Sequence, residues 1–393
     1  MRYKQDNKWY NLIYTTITPF TSITVKQQIK RSIRHAIIVD NIFGLHEFDE
    51  IPSVNVNRKN PYEYTVKIRN TGNKHDVIQS SHMALSGALR HRLSRFEFSQ
   101  AHDINGANWL EFQVNDMLAN WQFRPSVIND FKNKFGIVKI DNRLSIDITK
   151  SSHFVISGST GTGKSTFFMS TLAQMLLFTN GKNKPDVYIV DFKNGELGRL
   201  AKQSKLPKGH FVDGTNSDEL LAMFEHIDKL MFDRQQAQLK EKSLTITAKD
   251  LGYAPIYVVL EEAGSGLALL DKKVQDKVKN YIGKIAMQGR SSLVILSVLS
   301  QQASVQGTGL STAVIAQLSN KVLLGQTTPT ERAYLMPGFD LPDKAWPKGS
   351  GRGYFFSDSL LQPYEFTGAF PSDELNDSWL FRVLCAEINA IYR

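Results

Sequence analysis

The fold of this chain is decided by residues 153–165, which read His-Phe-Val-Ile-Ser-Gly-Ser-Thr-Gly-Thr-Gly-Lys-Ser. The first five residues predict a short buried strand, and the last eight match G-x-x-x-x-G-K-[ST] at every fixed position. Glycines let backbone N–H groups turn inward around phosphates, and the helix predicted from Lys164 adds its positive dipole end. In such a loop the lysine reaches the β- and γ-phosphates, and the Ser165 hydroxyl binds Mg²⁺. A chance glycine-rich turn is the alternative, but the strand before the loop and the helix after it favour a nucleotide site.

The predicted ATP-binding residues are those of the loop and the start of the helix: Gly158, Ser159, Thr160, Gly161, Thr162, Gly163, Lys164, Ser165 and Thr166. A second strand pattern predicts the acids that such a loop requires. The apolar run Ile256–Leu260 is followed at once by Glu261 and Glu262. Because ligands bind at the carboxyl ends of parallel strands, we expect one carboxylate to face Mg²⁺ and the other the attacking water. A solvated acidic turn is the weaker alternative.

Length and composition set the broad class. The 393 residues predict two or three domains, and 41% hydrophobic with 22% charged residues excludes a disordered or fibrous chain. A single cysteine, Cys385, excludes an intramolecular disulfide framework and a cysteine zinc cluster, and it agrees with a reducing compartment. No apolar run approaches the roughly 18 residues of a membrane helix, and the N-terminus lacks the apolar core of a signal peptide. We therefore expect a cytoplasmic protein without a membrane span.

The net charge of +9 is concentrated in the first part of the chain. Residues 1–150 hold 21 Lys and Arg against 14 Asp and Glu, which leaves 26 against 24 for residues 151–393. This excess of positive charge fits either a polyanionic partner or a merely solvated surface, and both alternatives stay open. The segment His82–Phe98 has apolar residues at helical spacing together with Arg90, Arg92 and Arg95. We predict a helix there, and a packed surface helix is favoured over one that binds nucleic acid.

From about residue 146 short apolar strands alternate with helical stretches, which predicts a mostly parallel sheet covered by helices on both faces. The final stretch, Asp373–Tyr392, predicts a docking helix. The predicted organisation is an N-terminal basic α+β domain over 1–145, which contacts DNA or a partner, an ATPase domain over 146–370, and a docking helix over 371–393. The further predicted strands are 153–157, 187–191, 293–296 and 321–324, and the further predicted helices are 164–178, 218–240 and 272–287.

Five blocks in order resemble the FtsK/SpoIIIE-type DNA translocases of the FtsK/HerA branch of P-loop NTPases, over roughly residues 135–365. The block 153–165 resembles the family's H-x-L-I-A-G-x-T-G-S-G-K-S, and 191–197 resembles D-P-K-x-x-E-L with Phe192 in place of proline. Residues 260–263 resemble V-D-E-A/F, and 288–292 resemble R-Q-G-R-A-x-G. Residues 300–304 stand where the family has T-Q-R-P-S.

The resemblance implies a RecA-like P-loop NTPase that forms a hexameric ring, binds ATP between the subunits of that ring and moves double-stranded DNA through it. It implies that Glu261 is the Mg²⁺-side acid, that Glu262 is the catalytic glutamate, and that Gln301 senses the γ-phosphate. Arg290 is implied as a charge offered to a neighbouring subunit's nucleotide, with Arg332 as its rival. Such an arginine stabilises charge in the transition state.

Several departures from the family narrow the prediction. Glu261 is one methylene longer than the usual Asp, and the glutamine block has lost its Arg and Pro. Neither a winged-helix reader after the ATPase segment nor membrane helices are predicted, which favours a translocase or coupling protein of a plasmid, phage or integrative conjugative element. A conjugative coupling or genome-packaging ATPase and a nucleotide-switched DNA-binding scaffold are the alternatives. A membrane or relaxosome protein is left open as a further partner.

Overall fold

The computed structural model describes residues 24–393 except 47–48, 61–62, 72–73, 90–92, 94–95, 99–100, 105–107, 117–121, 178–183, 244, 345, 347 and 369–376. The chain divides into two compact units, residues 1–120 and residues 121–393. The predicted domain boundary was 145, but residues 123–148 belong to the core of the second unit, where Phe123, Phe131 and Val138 are buried. Among the helices of the described ranges, none is long and apolar enough to cross a membrane.

The N-terminal unit is an antiparallel sheet packed against helices. Its elements are α1 (Val25–Ile38), β1 (Val54–Asn60), β2 (Glu63–Arg69), α2 (His75–Gln79), α3 (His82–Ala88), β3 (Phe96–Phe98), β4 (His102–Ile104) and β5 (Trp109–Asp116). The strand order is β1-β2-β5-β3, and β4 also pairs with β5. Alternate residues of β2 and β5 are buried against Ile29, Ile33 and Ile37 of α1, as expected for a sheet with one covered face.

The single helix predicted over His82–Phe98 is wrong in its second half. The helix α3 ends at Ala88, and residues 96–98 form β3, which pairs antiparallel with β5. Phe96 and Phe98 are both buried because alternate residues of a strand face the same side. Arg90, Arg92 and Arg95 lie outside the described residues.

The second unit contains a large mixed sheet and a small hairpin. Its strands are β6 (Ile137–Lys139), β7 (Ser145–Asp147), β8 (Phe154–Gly158), β9 (Asp186–Asp191), β10 (Phe211–Val212), β11 (Ile256–Glu261), β12 (Val294–Ser300), β13 (Asn320–Leu324), β14 (Arg352–Ser357) and β15 (Tyr364–Thr367). Its helices are α4 (Lys164–Leu176), α5 (Glu196–Gln203), α6 (Ser217–Leu239), α7 (Ala263–Leu267), α8 (Lys272–Gln288), α9 (Val305–Thr308), α10 (Thr312–Gln317), α11 (Pro329–Leu335) and α12 (Asp377–Ile391), with a 3₁₀ turn at Ile128–Phe131.

The large sheet has the strand order β10-β9-β11-β12-β8-β13-β14-β15. The first six strands are parallel, and β14 and β15 extend the sheet antiparallel. The predicted α/β class with a mostly parallel sheet and an N-terminal α+β unit is therefore confirmed. The acid-bearing strand β11 is not adjacent to the loop strand β8, because β12 lies between them.

Two apolar layers cover the sheet. Alternate residues of each strand enter opposite layers, so that Val187 and Ile189 face α4, α5 and α12, whereas Tyr188 and Val190 face α6 and α8. Strands buried on both faces explain why the sequence shows continuous apolar runs. The parallel strands bring Gly158, Asp191, Glu261 and Ser300 to one edge of the sheet, since each of these residues ends its strand.

Candidate nucleotide site

The glycine-rich loop joins β8 to α4 and adopts a conformation that requires glycine. Gly161 and Gly163 have φ angles of 82° and 92°, where a β-carbon is strained. A β-carbon on Gly158 would come 2.7 Å from Thr162 Oγ1. The same Thr162 hydroxyl donates to the carbonyl of Ser159 at 2.8 Å, which closes the loop on itself. The local sequence thus builds a turn whose backbone N–H groups are available to an anion.

A cavity of about 420 Å³ opens at this edge of the sheet. Its lining residues are Gly158, Ser159, Thr160, Gly161, Gly163, Lys164, Ser165, Thr166, Lys193, Gly195, Glu196, Glu261, Glu262, Gln301 and Gly349. Eight of the nine predicted ATP-binding residues line it, together with both predicted acids and the predicted glutamine. Thr162 does not line it, because its side chain packs against Gly158 and Gly325.

Lys164 and Glu262 form a buried ion pair at the floor of the cavity. Lys164 Nζ lies 2.8 Å from Glu262 Oε1, and each side chain is only 9% exposed. Glu262 has left-handed backbone angles, φ 57° and ψ 41°, which cost roughly 1–2 kcal/mol for a residue with a β-carbon. Consecutive side chains of a regular strand point to opposite faces, so this turn is what brings Glu262 into the same cavity as Glu261. The strained backbone of Glu262 therefore serves to direct its carboxylate into the cavity.

Glu261 is the second carboxylate of the cavity, and its surroundings are unusual. Its burial, followed by the charge of Asp191, raises the pKa of Glu261 from 4.5 to about 7. Glu261 Oε2 is buried without a hydrogen-bond partner. An unpartnered buried carboxylate oxygen in the same cavity as a loop serine suits a hard divalent cation, which would take its other ligands from phosphate and water. Ser165 and Glu261 therefore fit Mg²⁺, and nothing in the donor set argues against it.

Gln301 follows β12 directly and lies between the loop strand and the acid strand. Its backbone N–H donates to Glu262 Oε2 at 3.3 Å, and the residue lines the cavity. The sequence placed Gln301 at this edge, and the insertion of β12 between β8 and β11 explains its central position. Its role as a γ-phosphate sensor stays a prediction.

Three cavity residues that the sequence did not single out lie in the loop after β9 and at the start of α5. Lys193, Gly195 and Glu196 line the cavity from the side opposite the glycine-rich loop. Phe192, the residue in the place of the family's proline, fills a narrow space between Gly214 and Gly266. The sequence did offer a signal for this loop: Asp191 stands at the end of an apolar run, as Glu261 does, so the loop after it could have been predicted at the same edge of the sheet.

The two candidate arginines lie away from the cavity. Arg290 precedes β12 and influences the pKa of His153, which precedes β8, so it stands at the opposite edge of the sheet from the phosphate loop. Arg332 is 7% exposed and donates to the carbonyl of Thr327 at 2.7 Å and to Asp343 at 3.2 Å. Neither arginine lines the cavity. The expected role of Arg290 in trans stays a prediction.

Two short helices leave the site side by side. The helix α7 begins directly after Glu262, and α9 follows Gln301 and three further residues. A β-carbon on Gly264 would come 2.1 Å from the carbonyl oxygen of Gln306, so the two helices touch backbone to backbone. The segment 304–312 contains the whole of α9 and the first residue of α10.

Comparison with known proteins agrees with this geometry. Residues 116–262 match the sequence profile of the FtsK/SpoIIIE family. The chain is 27% identical over 254 residues to the Ftsk domain-containing protein YdcQ of Bacillus subtilis (strain 168), a match that covers 61% of this chain and 50% of that protein. It is 27% identical over 156 residues to the DNA double-strand break repair helicase HerA of Sulfurisphaera tokodaii, covering 39% and 28%. The chain thus spans half or less of the length of these relatives.

Solved structures show the same fold. The pCW3 conjugation coupling protein TcpA, in a monomer form with ATPγS, superposes with a TM-score of 0.57 at 15% identity, covering 93% of this chain and 100% of that one. ATPases 2 and 3 of EssC from Geobacillus thermodenitrificans superpose with a TM-score of 0.53 at 17% identity, covering 70% and 51%. The profile match over residues 116–262, the relatives and the geometry of the cavity together support an FtsK/HerA-type P-loop ATPase domain in this chain.

Proposed function

We propose that this chain binds ATP with Mg²⁺ in the cavity and hydrolyses it. The observation that carries the proposal is the meeting of three strand ends in one space. The glycine-rich loop follows β8, Glu261 ends β11 and is followed by Glu262, and Gln301 follows β12; all of them contribute residues to the same 420 Å³ cavity. An acid, a cation and backbone donors in one cavity are the parts that phosphoryl transfer to water requires.

Each residue has a chemical task in this proposal. The loop N–H groups and Lys164 hold the phosphates and balance the charge that develops in the transition state. Ser165 and Glu261 hold Mg²⁺, which when bound draws negative charge from the phosphate oxygens. Glu262 orients the attacking water, and it must first release Lys164, its partner at 2.8 Å, to the phosphates. Gln301, whose backbone N–H bonds Glu262, would contact the terminal phosphate.

We further propose that hydrolysis drives the movement of double-stranded DNA by a ring of these chains in the cytoplasm, with Arg290 of one chain acting on the next. The support is the family match, a relative named as a helicase, and the net charge of +9. HerA is named for DNA repair and TcpA for conjugation, so the relatives differ in cargo. Transfer of conjugative DNA is therefore the second candidate, with a membrane or relaxosome protein as its partner.

The test is steady-state phosphate release by the full chain with Mg²⁺ATP, in the presence and absence of duplex DNA. We expect turnover that rises with duplex, and none in Lys164→Ala. Duplex affinity should weaken steeply with salt, because phosphates rather than base edges would be the contacts. Binding of nucleotide and duplex without turnover would overturn the motor and leave the nucleotide-switched scaffold. Sedimentation with ATPγS and duplex tests the ring, which a persistent monomer would refute.

A further inference from the structure

The loop after β9 is held rigidly by one buried carboxylate. Asp191 is fully buried and accepts backbone hydrogen bonds from Lys193 at 2.8 Å, from Gly195 at 2.7 Å and from Gly198 at 2.8 Å. Asn194 adopts a left-handed backbone with a φ of 54°, and its side chain accepts from Lys202 at 3.0 Å. Four contacts therefore fix residues 193–198 in place before any ligand binds.

This loop lies directly against the Mg²⁺-side acid. Asp191 stands opposite Glu261 in the pairing of β9 with β11. A β-carbon on Gly195 would lie 3.3 Å from Glu261 Oε2, so the glycine is what allows the loop to approach so closely. Along the edge of the sheet the order is the glycine-rich loop, Gln301, the two glutamates and then the loop after β9. Lys193 therefore lines the wall of the cavity that faces the glycine-rich loop.

The charges of the cavity leave Lys193 as its unused cation. The ionisable lining residues are three acids, Glu196, Glu261 and Glu262, and two lysines, Lys164 and Lys193. Lys164 is paired with Glu262 at 2.8 Å. Among the residues that the structure describes, Lys193 has no ion pair, and its side chain is exposed. A triphosphate brings several negative charges into a cavity that already holds three acids, so a second lysine close to its far end would lower the electrostatic cost of binding.

We propose that Lys193 is a second phosphate-binding cation that contacts the terminal phosphate in cis. The inference rests on the proposed ATP-binding function and extends it to the discrimination of ATP from ADP. The glycine-rich loop and Lys164 hold the phosphates that both nucleotides share, whereas Lys193 lies across the cavity, beyond the two glutamates. A flexible lysine stem on a rigid loop can reach a phosphate without moving the backbone.

The test compares the dissociation constants of Mg²⁺ATPγS and Mg²⁺ADP, by calorimetry on the full chain. Lys193→Ala should weaken ATPγS by about tenfold, as expected for one lost charge-assisted contact, and ADP by less than about threefold. Lys193→Arg should retain most of the preference. Lys208→Ala, which removes an exposed lysine that does not line the cavity, is the matched control and should change neither constant.

Two results would overturn the inference about Lys193, and only the second would also overturn the proposed ATP-binding function. If Lys193→Ala leaves both constants unchanged, or weakens both equally, while Lys164→Ala loses both nucleotides, Lys193 does not contact the terminal phosphate and the ATP site itself stands. If Lys164→Ala and Lys193→Ala both bind ATPγS like the parent, the nucleotide site is misplaced and the proposed function fails together with the inference.

Discussion

Replacement of Glu262 by glutamine should separate ATP binding from hydrolysis. The carboxylate that orients water is lost, so turnover should fall by about 10²–10⁴-fold. Binding should be retained and should become tighter, because Glu262 no longer competes with the phosphates for Lys164. At 2.8 Å and an effective dielectric constant of about 20, the gross attraction of the pair is about 6 kcal/mol.

Most of that attraction is offset by desolvation, and a charged hydrogen bond contributes about 1.5–3 kcal/mol net. The glutamine amide oxygen still accepts from Lys164, so we expect roughly a tenfold gain in affinity for Mg²⁺ATPγS, equivalent to about 1.4 kcal/mol. Glu261→Gln should instead weaken Mg²⁺-dependent binding, because a neutral amide is a poorer ligand for a hard cation.

The assay measures nucleotide affinity with and without Mg²⁺, and phosphate release, for both variants. The opposite pattern would refute the assigned order of the two acids: Glu262→Gln would lose Mg²⁺-dependent binding, and Glu261→Gln would bind normally without turnover. If both variants hydrolyse ATP like the parent, the carboxyl end of β11 does not serve the nucleotide at all.

Three further predictions concern stability and assembly. Because the pKa of Glu261 is raised, between about pH 4.5 and 7 the folded chain keeps a proton that the unfolded chain has lost, and the free energy of unfolding falls as pH rises, by up to about 3 kcal/mol. In EDTA, Glu261→Gln should therefore have a higher melting temperature than the parent at pH 8 and the same melting temperature at pH 5. Equal shifts at both pH values would contradict this. Gly266→Ala should destabilise by about 1–3 kcal/mol in denaturant titrations, because its β-carbon would come 2.0 Å from Phe192, and Phe192→Ala should relieve part of the loss unless the ring is not the obstacle. Arg332→Ala should lower the melting temperature, because the Thr327 carbonyl and Asp343 lose the guanidinium that donates to them. Arg290→Ala should leave the melting temperature unchanged and reduce turnover of the assembled protein. A normal rate would exclude Arg290 from catalysis in trans.

The sequence predicted the centre of the site because each part carried a local pattern. Residues 158–165 have fixed spacing, and Glu261 and Glu262 follow an apolar run, so strand polarity alone brings them to one edge. The order of the strands could not be predicted in this way. That β12 separates β8 from β11 is a property of long-range pairing, which leaves no mark on any single strand.

Other misses have equally specific causes. Phe96 and Phe98 suit a helix or a strand, and pairing with β5 decides between them. The role of Asp191 depends on the path of the loop that follows it, which the sequence shows only as a turn. For Arg290 a cue was available, because a residue that precedes a parallel strand stands at the edge away from the phosphates.

The glycine contact between α7 and α9 has a mechanical consequence. The β-carbon position of Gly264 lies only 2.1 Å from a backbone oxygen, so at this point the two backbones meet directly and no side-chain rotamer change can absorb a displacement. Glu262 lies at the start of one helix and Gln301 shortly before the other, so a movement imposed on either residue shifts both helices together as one rigid body. A single methyl group added at Gly264 would separate the two helices without changing the identity of any side chain in the cavity.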